Sequence, residues 1–217
     1  MKEFKLVFDC ETTNTPRDET GNLDVSSAQV YDLGCSVIDD EGKVYEEKSF
    51  INTDVFYNKD LMSNAYFYDK IPQYRKEIAS GVHNLVNSWQ LWREVKRLID
   101  EYHITTIIAH NSRFDIAALN ATIRYQTKSV KRYFFKYGIE VKDSMWLAHR
   151  TICKTEDYKK FCMENNYMTN HKKPQVRKSA EVLWRYFTKD NTFEESHTGL
   201  ADVRIEREIF LRCLRME

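Results

Sequence analysis

Hydrophobic positions fall in short strand-like runs near the start of the chain and follow a helical period later. Residues 4–9, 30–39 and 42–51 are rich in β-branched and aromatic residues and have the length of strands. The sequence Asp39-Asp40-Glu41-Gly42 between the second and third runs is typical of a tight turn. The pattern therefore predicts a sheet that opens with three antiparallel strands.

The pattern changes after residues 55–80, an aromatic segment that is irregular and predicts only partial helix. Residues 90–102 place Leu91, Val95 and Leu98 on one helical face. Later segments predict a buried strand at 105–110, a helix at 114–126, a strand at 139–144, and helices at 177–187 and 200–214. This order indicates an α/β fold with a mixed central sheet flanked by helices. The length of 217 residues suits a single domain spanning 1–217.

The composition indicates an intracellular protein. No apolar run approaches the ~20 residues that cross a bilayer, and the acidic N-terminal sequence does not have the form of a signal peptide. The five cysteines form no close pair, which is typical of reduced thiols. We therefore expect a soluble, cytoplasmic protein with no membrane partner.

The charges balance at 33 basic and 33 acidic residues, but they are unevenly distributed. Residues 1–63 contain 6 Lys/Arg and 14 Asp/Glu, whereas residues 124–187 contain 15 Lys/Arg and 6 Asp/Glu. This distribution fits metal-binding carboxylates that face a phosphate-binding surface. It also fits two solvated surfaces of opposite sign, and charge alone favours that interpretation.

Two acids lie close together at the end of the first predicted strand. Asp9 and Glu11 are separated by one residue, and the side chains of residues i and i+2 in a strand point to the same face. Carboxylates held side by side repel each other unless a positive charge lies between them. The pair indicates either a bound cation or a solvated end of a strand.

Three other polar stretches follow predicted elements. Asp115 in AHNSRFD lies near the start of a helix after a buried strand, and Asp143 in KDS ends the next strand. His197 and Asp202 in SHTGLAD are separated by a predicted helix start, which leaves the histidine in a loop. Each stretch alone is typical of a helix terminus or a surface loop. Their order and spacing together indicate one shared site.

The ordered set D-x-E-T, A-H-N-x-x-F-D and H-x-x-x-x-D resembles the DEDDh 3′→5′ exonucleases, which include proofreading exonucleases, RNase T and oligoribonuclease. The resemblance covers nearly the whole chain and implies an RNase H-like fold. It implies release of nucleoside 5′-monophosphates from 3′ ends by a mechanism with two divalent cations, Mg²⁺ or Mn²⁺. The implied metal ligands are Asp9, Glu11, Asp115 and Asp202. The implied general base is His197, and Asp143 has an implied structural role.

Two features depart from the family pattern. Asn14 stands where the family often has glycine, although asparagine tolerates a left-handed turn. The stretch 14–29 is longer than the family's usual link between the first two strands. It predicts a loop beside the site.

Two segments, 124–138 and 170–187, interleave basic and aromatic residues, as proteins that bind single-stranded nucleic acid do. For most of these aromatic residues, packing in the core is the favoured interpretation. The residues predicted to bind substrate are Thr12, Thr13, Asn111, Lys172, Lys173, Arg177 and Lys178. The neutral total charge argues against tight binding of a long duplex.

Three functions are compatible with the sequence. The favoured one is a metal-dependent 3′→5′ exonuclease acting on single-stranded DNA or RNA. The alternatives are a catalytically silent nucleic-acid-binding module on the same fold and a phosphodiesterase of very short oligonucleotides. The sequence does not indicate whether a polymerase or a second copy of the chain is a partner.

Overall fold

The computed structural model describes residues 2–13, 25–63, 65 and 67–217, and these residues form six strands and nine α-helices. The strands are β1 (Phe4–Thr12), β2 (Val30–Asp39), β3 (Val44–Asn52), β4 (Asn84–Val86), β5 (Thr106–Ala109) and β6 (Glu140–Asp143). The helices are α1 (Thr53–Phe56), α2 (Lys59–Met62), α3 (Ile71–Ala79), α4 (Ser88–Glu101), α5 (Ser112–Thr127), α6 (Ser144–Arg150), α7 (Glu156–Glu164), α8 (Ala180–Thr188) and α9 (Gly199–Leu214). Most of the predicted 14–29 loop, including Asn14, lies outside the described residues.

The six strands form one sheet in the order β4-β3-β2-β1-β5-β6. β2 pairs antiparallel with both β1 and β3, whereas β5 lies parallel to β1, and β6 lies parallel to β5. β4 extends the sheet parallel to β3. The predicted mixed sheet with an antiparallel opening is therefore confirmed. Because β1, β5 and β6 run in the same direction, their carboxyl ends meet at one edge of the sheet, where ligands bind in open α/β sheets.

Alternation along β1 directs its side chains into two packed layers. Phe8 belongs to a buried cluster that includes Leu98 of α4. Val7 belongs to a second cluster that includes Phe210 of α9. Residues i and i+2 of a strand share a face, so the two acids that follow Val7 in β1 face the layer that contains α9.

The structure differs from the predicted elements mainly at their ends. β1 continues beyond the predicted strand 4–9, because its pairing with β2 extends to Thr12 after a register shift. The prediction of a helix from residue 177 is wrong at its start, since α8 begins at Ala180. The strand β4 and the helix α7 lie in segments to which the sequence pattern assigned no element.

Other expectations from the sequence concern the aromatic segment and the thiols. Residues 55–80 are partly helical, as predicted, and contain α2 and α3. All five cysteines are free and buried. Within the described ranges, no helix combines the length and the apolar composition needed to cross a membrane.

Candidate active site

The acids predicted as metal ligands line one cavity at the edge of the sheet. β1 carries Asp9 and Glu11, and the start of α5, which follows the neighbouring β5, brings Asp115 to the same place. Asp202 enters from the first turn of α9, and His197 lines the cavity from the preceding loop. The cavity, called the site cavity below, has a volume of about 750 Å³. The structure thus brings together five residues that are far apart in the sequence.

Two glycines allow α9 to start directly against the sheet. A Cβ atom on Gly34 would lie 2.1 Å from the carbonyl carbon of Gly199, and a Cβ atom on Gly199 would lie 2.5 Å from the nitrogen of Gly34. Since real Cβ atoms essentially never approach other atoms within 3.0 Å, no larger residue fits at either position without a backbone shift. This close contact holds the first turn of α9, and therefore Asp202, beside β1.

Asp32 on β2 fixes the loop that precedes α9, a role that the sequence analysis missed. Its buried carboxylate accepts hydrogen bonds from the N–H of Gly199 at 2.8 Å and from the hydroxyl of Tyr74 at 2.7 Å. The same hydroxyl lies 3.2 Å from the carbonyl oxygen of His197. Burial raises the pKa of the Asp32 carboxyl, and the two donors oppose this rise. An acid within a strand of apolar neighbours was the available signal.

His197 combines an unusual backbone conformation with a stacked ring. Its φ of +53° lies in the left-handed region that residues other than glycine rarely adopt. The partly buried ring stacks on Phe67, with 3.7 Å between ring centroids and 12° between planes. A ring nitrogen and carboxylate oxygens of Glu11 and Asp202 lie within 4.8 Å of one another. Burial lowers the pKa of the imidazole, so the ring is neutral at pH 7.

The four carboxylates of the pattern lie in surroundings that disfavour their charged forms. Burial raises the pKa of Asp9 to about 7, with further contributions from neighbouring acids. Burial and repulsion from Asp9 raise the pKa of Asp202 to about 9. The same two causes raise the pKa values of Glu11 and Asp115 well above their ordinary range. Each charge would be stabilised if positive charge were supplied to the cluster.

This donor set fits a hard divalent cation. Most of the available ligand atoms are carboxylate oxygens, which Mg²⁺ and Mn²⁺ prefer. The Oδ1 atom of Asp202 is buried and has no hydrogen-bond partner among the described residues. Glu11, His197 and Asp202 offer three ligand atoms at distances that one ion can bridge. The chemistry of the site is therefore compatible with the cations that the sequence pattern implies.

Two further acids, Glu195 and Glu206, line the site cavity and were missed by the sequence analysis. Glu206 lies four residues after Asp202, which places both on one face of α9. Its buried carboxylate accepts a hydrogen bond from the N–H of His110 at 3.3 Å. Burial raises the pKa of Glu195 to about 7. The spacing from Asp202 was a signal for Glu206, whereas Glu195 belongs to no recognisable pattern.

The carboxylate of Asp143 is occupied by hydrogen bonds at the starts of two helices. It accepts from the N–H groups of Asn111 at 3.2 Å and Ser112 at 3.0 Å, where α5 begins. It also accepts from the N–H of Trp146 at 3.1 Å and caps α6. These contacts agree with the structural role that the resemblance implies for Asp143.

The residues predicted to bind substrate do not all face the site cavity. Those that line it are Thr12, Asn111, Arg177 and Lys178. Thr13 is buried, and its hydroxyl oxygen accepts a hydrogen bond from the N–H of Gln29 at 3.0 Å. Lys172 and Lys173 are exposed and lie outside the cavity lining.

Comparison with known proteins finds similarity in structure only. No family model and no curated protein matches the chain. A product-bound structure of exonuclease I matches 96% of this chain and 42% of its own, with a TM-score of 0.58 and 16% identity. A zinc-bound complex of E. coli exonuclease I with single-stranded DNA matches 99% of this chain and 41% of its own, with a TM-score of 0.54 and 16% identity.

A third structure, an ExoI/SSB-Ct complex, matches 99% of this chain and 42% of its own, with a TM-score of 0.56 and 17% identity. The chain therefore spans about two fifths of the length of the exonuclease I structures. Similarity at these identities shows that the chain shares the fold of the matched part of these structures.

Proposed function

We propose that the chain is a metal-dependent 3′→5′ exonuclease that releases nucleoside 5′-monophosphates from single-stranded DNA or RNA. The convergence of Asp9, Glu11, Asp115, Asp202 and His197 on one open cavity carries this proposal. The order of these residues along the chain matches the DEDDh pattern, and the fold shared with exonuclease I supports the same class of activity. The proposal treats residues 1–217 as a single exonuclease domain.

In this proposal Asp9, Glu11, Asp115 and Asp202 hold two divalent cations, Mg²⁺ or Mn²⁺. Such cations stabilise negative charge on the scissile phosphate and on the attacking and leaving oxygens. The four carboxylates are held on β1 and on the first turns of α5 and α9, so their positions are fixed by rigid elements. Their raised pKa values mean that the folded chain stabilises the charged forms poorly without added positive charge.

His197 acts in the proposal as the base that accepts a proton from the attacking water. Its lowered pKa keeps the imidazole neutral at pH 7, which is the form that can accept a proton. Asp32 holds the backbone that follows the ring through the Gly199 N–H, and the Tyr74 hydroxyl that donates to Asp32 lies 3.2 Å from the His197 carbonyl oxygen. Phe67 covers one face of the ring and restricts its rotation.

The mixed charge of the site cavity supports a phosphodiester substrate. Arg177 and Lys178 line the same cavity as the acids, so phosphates next to the scissile one meet positive charge. Thr12 and Asn111 are beside the acids, where the terminal nucleotide would bind. Solved exonuclease I structures include complexes with single-stranded DNA and with a dA16 oligonucleotide, which supports single strands as the substrate class.

The deciding experiment follows a 3′-labelled strand, offered as DNA and as RNA, single-stranded and double-stranded, with Mg²⁺ or Mn²⁺. We expect the label to appear first as a mononucleotide, and mainly from single strands. Asp202→Asn should remove nearly all turnover, because one missing charge disrupts a clamp whose members act together. Asp157→Asn is the matched control, since Asp157 is an exposed acid in the first turn of α7.

The two alternative functions give different results in this assay. If the chain is a silent binding module, the wild-type protein will bind the strand at saturating metal but will release no mononucleotide. A phosphodiesterase of very short oligonucleotides would cleave a dinucleotide much faster than a 20-nucleotide strand. Equal activity of the wild-type and Asp202→Asn proteins would contradict the assignment of the metal site.

A further inference from the structure

A basic and aromatic surface lies at the C-terminal end of α5, outside the site cavity. We call it the α5-end surface, and it consists of residues 124–137. Five of these residues are Lys or Arg and none is Asp or Glu. Within the described part of the chain, no ion pair involves any of these five cations. Their positive charge is therefore available to an external ligand.

The structure separates the aromatic residues of this surface into two groups. Phe134 is only 5% exposed and packs in the core, as the favoured interpretation of the sequence predicted. Tyr125, Tyr133 and Tyr137 are instead exposed, at 46%, 65% and 105%. Exposed rings of this kind offer flat faces on which bases stack.

Cations lie against two of these three exposed rings. The Lys128 ammonium is 4.2 Å from the centroid of the Tyr125 ring, and the Arg124 guanidinium is 4.9 Å from that of Tyr133. Interleaved cations and aromatic faces are what proteins use to bind single strands without sequence preference, because phosphates pair with the cations while bases stack on the rings.

One face of α5 connects the α5-end surface to the site cavity. Phe114 lines the site cavity, and Ala117, Ala121 and Arg124 line a second cavity of about 830 Å³. These residues are three or four positions apart, so they share a helical face. At 1.5 Å per residue, Arg124 lies about 14 Å along the helix from Asp115. A strand held in the site cavity could reach this surface with its next nucleotides.

We propose that the α5-end surface binds single-stranded nucleic acid upstream of the 3′-terminal nucleotides. This inference rests on the proposed nuclease function, which supplies a strand whose 3′ end lies in the site cavity. Charge complementarity argues for a polyanion, and the exposed rings argue for unpaired bases, which a duplex keeps stacked inside. Attachment at two points raises the affinity for long strands over short ones, because the second contact becomes intramolecular.

The first test measures binding, without metal and therefore without turnover. Fluorescence anisotropy follows labelled 20-nucleotide strands of oligo(dT) and oligo(U) in EDTA over a range of salt concentrations. Lys131→Ala/Arg132→Ala should weaken binding about tenfold at low salt and reduce the salt slope by about 1.4, the value for two contacts to a single strand. Lys159→Ala/Lys160→Ala is the matched control, an adjacent pair of basic residues on α7.

The second test compares strand lengths. Tyr133→Ala/Tyr137→Ala should lower the ratio of kcat/KM for the 20-nucleotide strand to kcat/KM for a dinucleotide, by about tenfold. Because both substrates use the same protein sample, the ratio is independent of partial misfolding. Tyr133→Phe/Tyr137→Phe retains the ring faces and should restore the wild-type ratio.

The outcomes separate this inference from the proposed function. If the variants and their controls bind the 20-nucleotide strand equally and give the same ratio while cleavage proceeds, the α5-end surface is not a binding surface. If no nuclease activity is found but the variants still lose binding, the α5-end surface does bind single strands and the proposed nuclease function is wrong. Altered sedimentation of the tyrosine variant with unchanged strand binding would identify instead an interface between copies of the chain, and would overturn the proposal.

Discussion

At the scale of single residues, His197 is within reach of two chemical roles. Its ring nitrogen is close enough to oxygens of Glu11 and Asp202 to share a metal ion with them. The sequence pattern instead implies that it accepts a proton from water and stays outside the metal shell. Its lowered pKa suits both roles, because both require the neutral imidazole. The two roles predict different effects on metal binding when the ring is removed: loss of a ligand weakens it, whereas loss of a base leaves it intact.

We predict that His197→Ala keeps the rise in melting temperature caused by Mn²⁺ but loses about 10²–10⁴-fold in kcat, the usual contribution of a positioned base. Its remaining activity should rise with pH over a range in which the wild type is constant. The measurements are thermal unfolding with and without Mn²⁺, and kcat between pH 5.5 and 9.

Two further variants control this prediction. His197→Asn removes the imidazole but tolerates the left-handed backbone, so it separates chemistry from strain. His149→Ala removes an exposed histidine of α6 and should behave as the wild type. Loss of the Mn²⁺-induced stabilisation in both His197 variants would show that the residue is a metal ligand.

The residues of the candidate site were predictable to different degrees. Asp9 and Glu11 lie in the second half of β1 and Asp115 follows β5, and the element that each belongs to could be recognised from the sequence. The acid at position 32 stands out among apolar neighbours and Glu195 does not, but the role of neither could be recognised, because each role depends on contacts with residues far away in the sequence. Asp32 acts on Gly199, 167 positions later, and no local pattern encodes that contact.

At the scale of elements, the segment before α8 shows what periodicity alone cannot resolve. It contains four cations in seven positions and no regular hydrophobic pattern. In the structure Met168 pairs with Val176 in an antiparallel bridge, and the N–H of Thr169 donates to the carbonyl of Gln175. This turn keeps Lys172 and Lys173 away from the cavity lining, whereas Arg177 and Lys178 remain part of the lining. A strand pairing of this length has no signature in the sequence.

We predict that Arg177→Ala/Lys178→Ala raises KM for oligonucleotides at least tenfold more than Lys172→Ala/Lys173→Ala does. The first pair lines the site cavity and the second is exposed outside it, although both pairs carry the same charge. The difference should shrink as salt is added, because salt screens contacts to phosphates. Steady-state kinetics at two salt concentrations provide the measurement. Equal effects of the two pairs would mean that the whole segment, and not the cavity wall, binds the strand.

At the scale of the whole molecule, both interpretations of the uneven charge distribution apply, each to a different group of acids: some lie on solvated surfaces and others line the site cavity. Several acids of the first 63 residues form ordinary ion pairs: Asp39 with Lys2, Glu46 with Arg97, and Glu47 with Arg204 and Arg207. The acids of β1 differ from these, because they are directed into the site cavity together with Arg177 and Lys178. Composition could not separate the two groups, since burial and partners are set only when distant segments pack.

The buried carboxylates should also make the stability of the metal-free protein depend on pH. The pKa values of Asp9 and Asp202 are raised to about 7 and about 9 in the fold, whereas aspartate in an unfolded chain has a value near 3.9. The unfolded chain therefore releases these protons first as the pH rises. Between the pKa of the unfolded chain and the raised pKa values of the fold, the native state binds more protons than the unfolded state. The free energy of unfolding therefore falls as the pH rises through this range.

We predict that in EDTA the melting temperature falls steadily from pH 5 to 8.5, and that saturating Mg²⁺ opposes this fall. Metal binds the ionised carboxylates, so the stabilisation that it adds should grow with pH. Asp202→Asn removes one of the titrating groups and should flatten the EDTA curve, whereas Asp157→Asn, which changes an exposed acid, should leave the curve unchanged. Thermal unfolding at each pH, with and without Mg²⁺, measures these effects. Parallel curves with and without Mg²⁺ would show that the acids do not bind the cation as a unit.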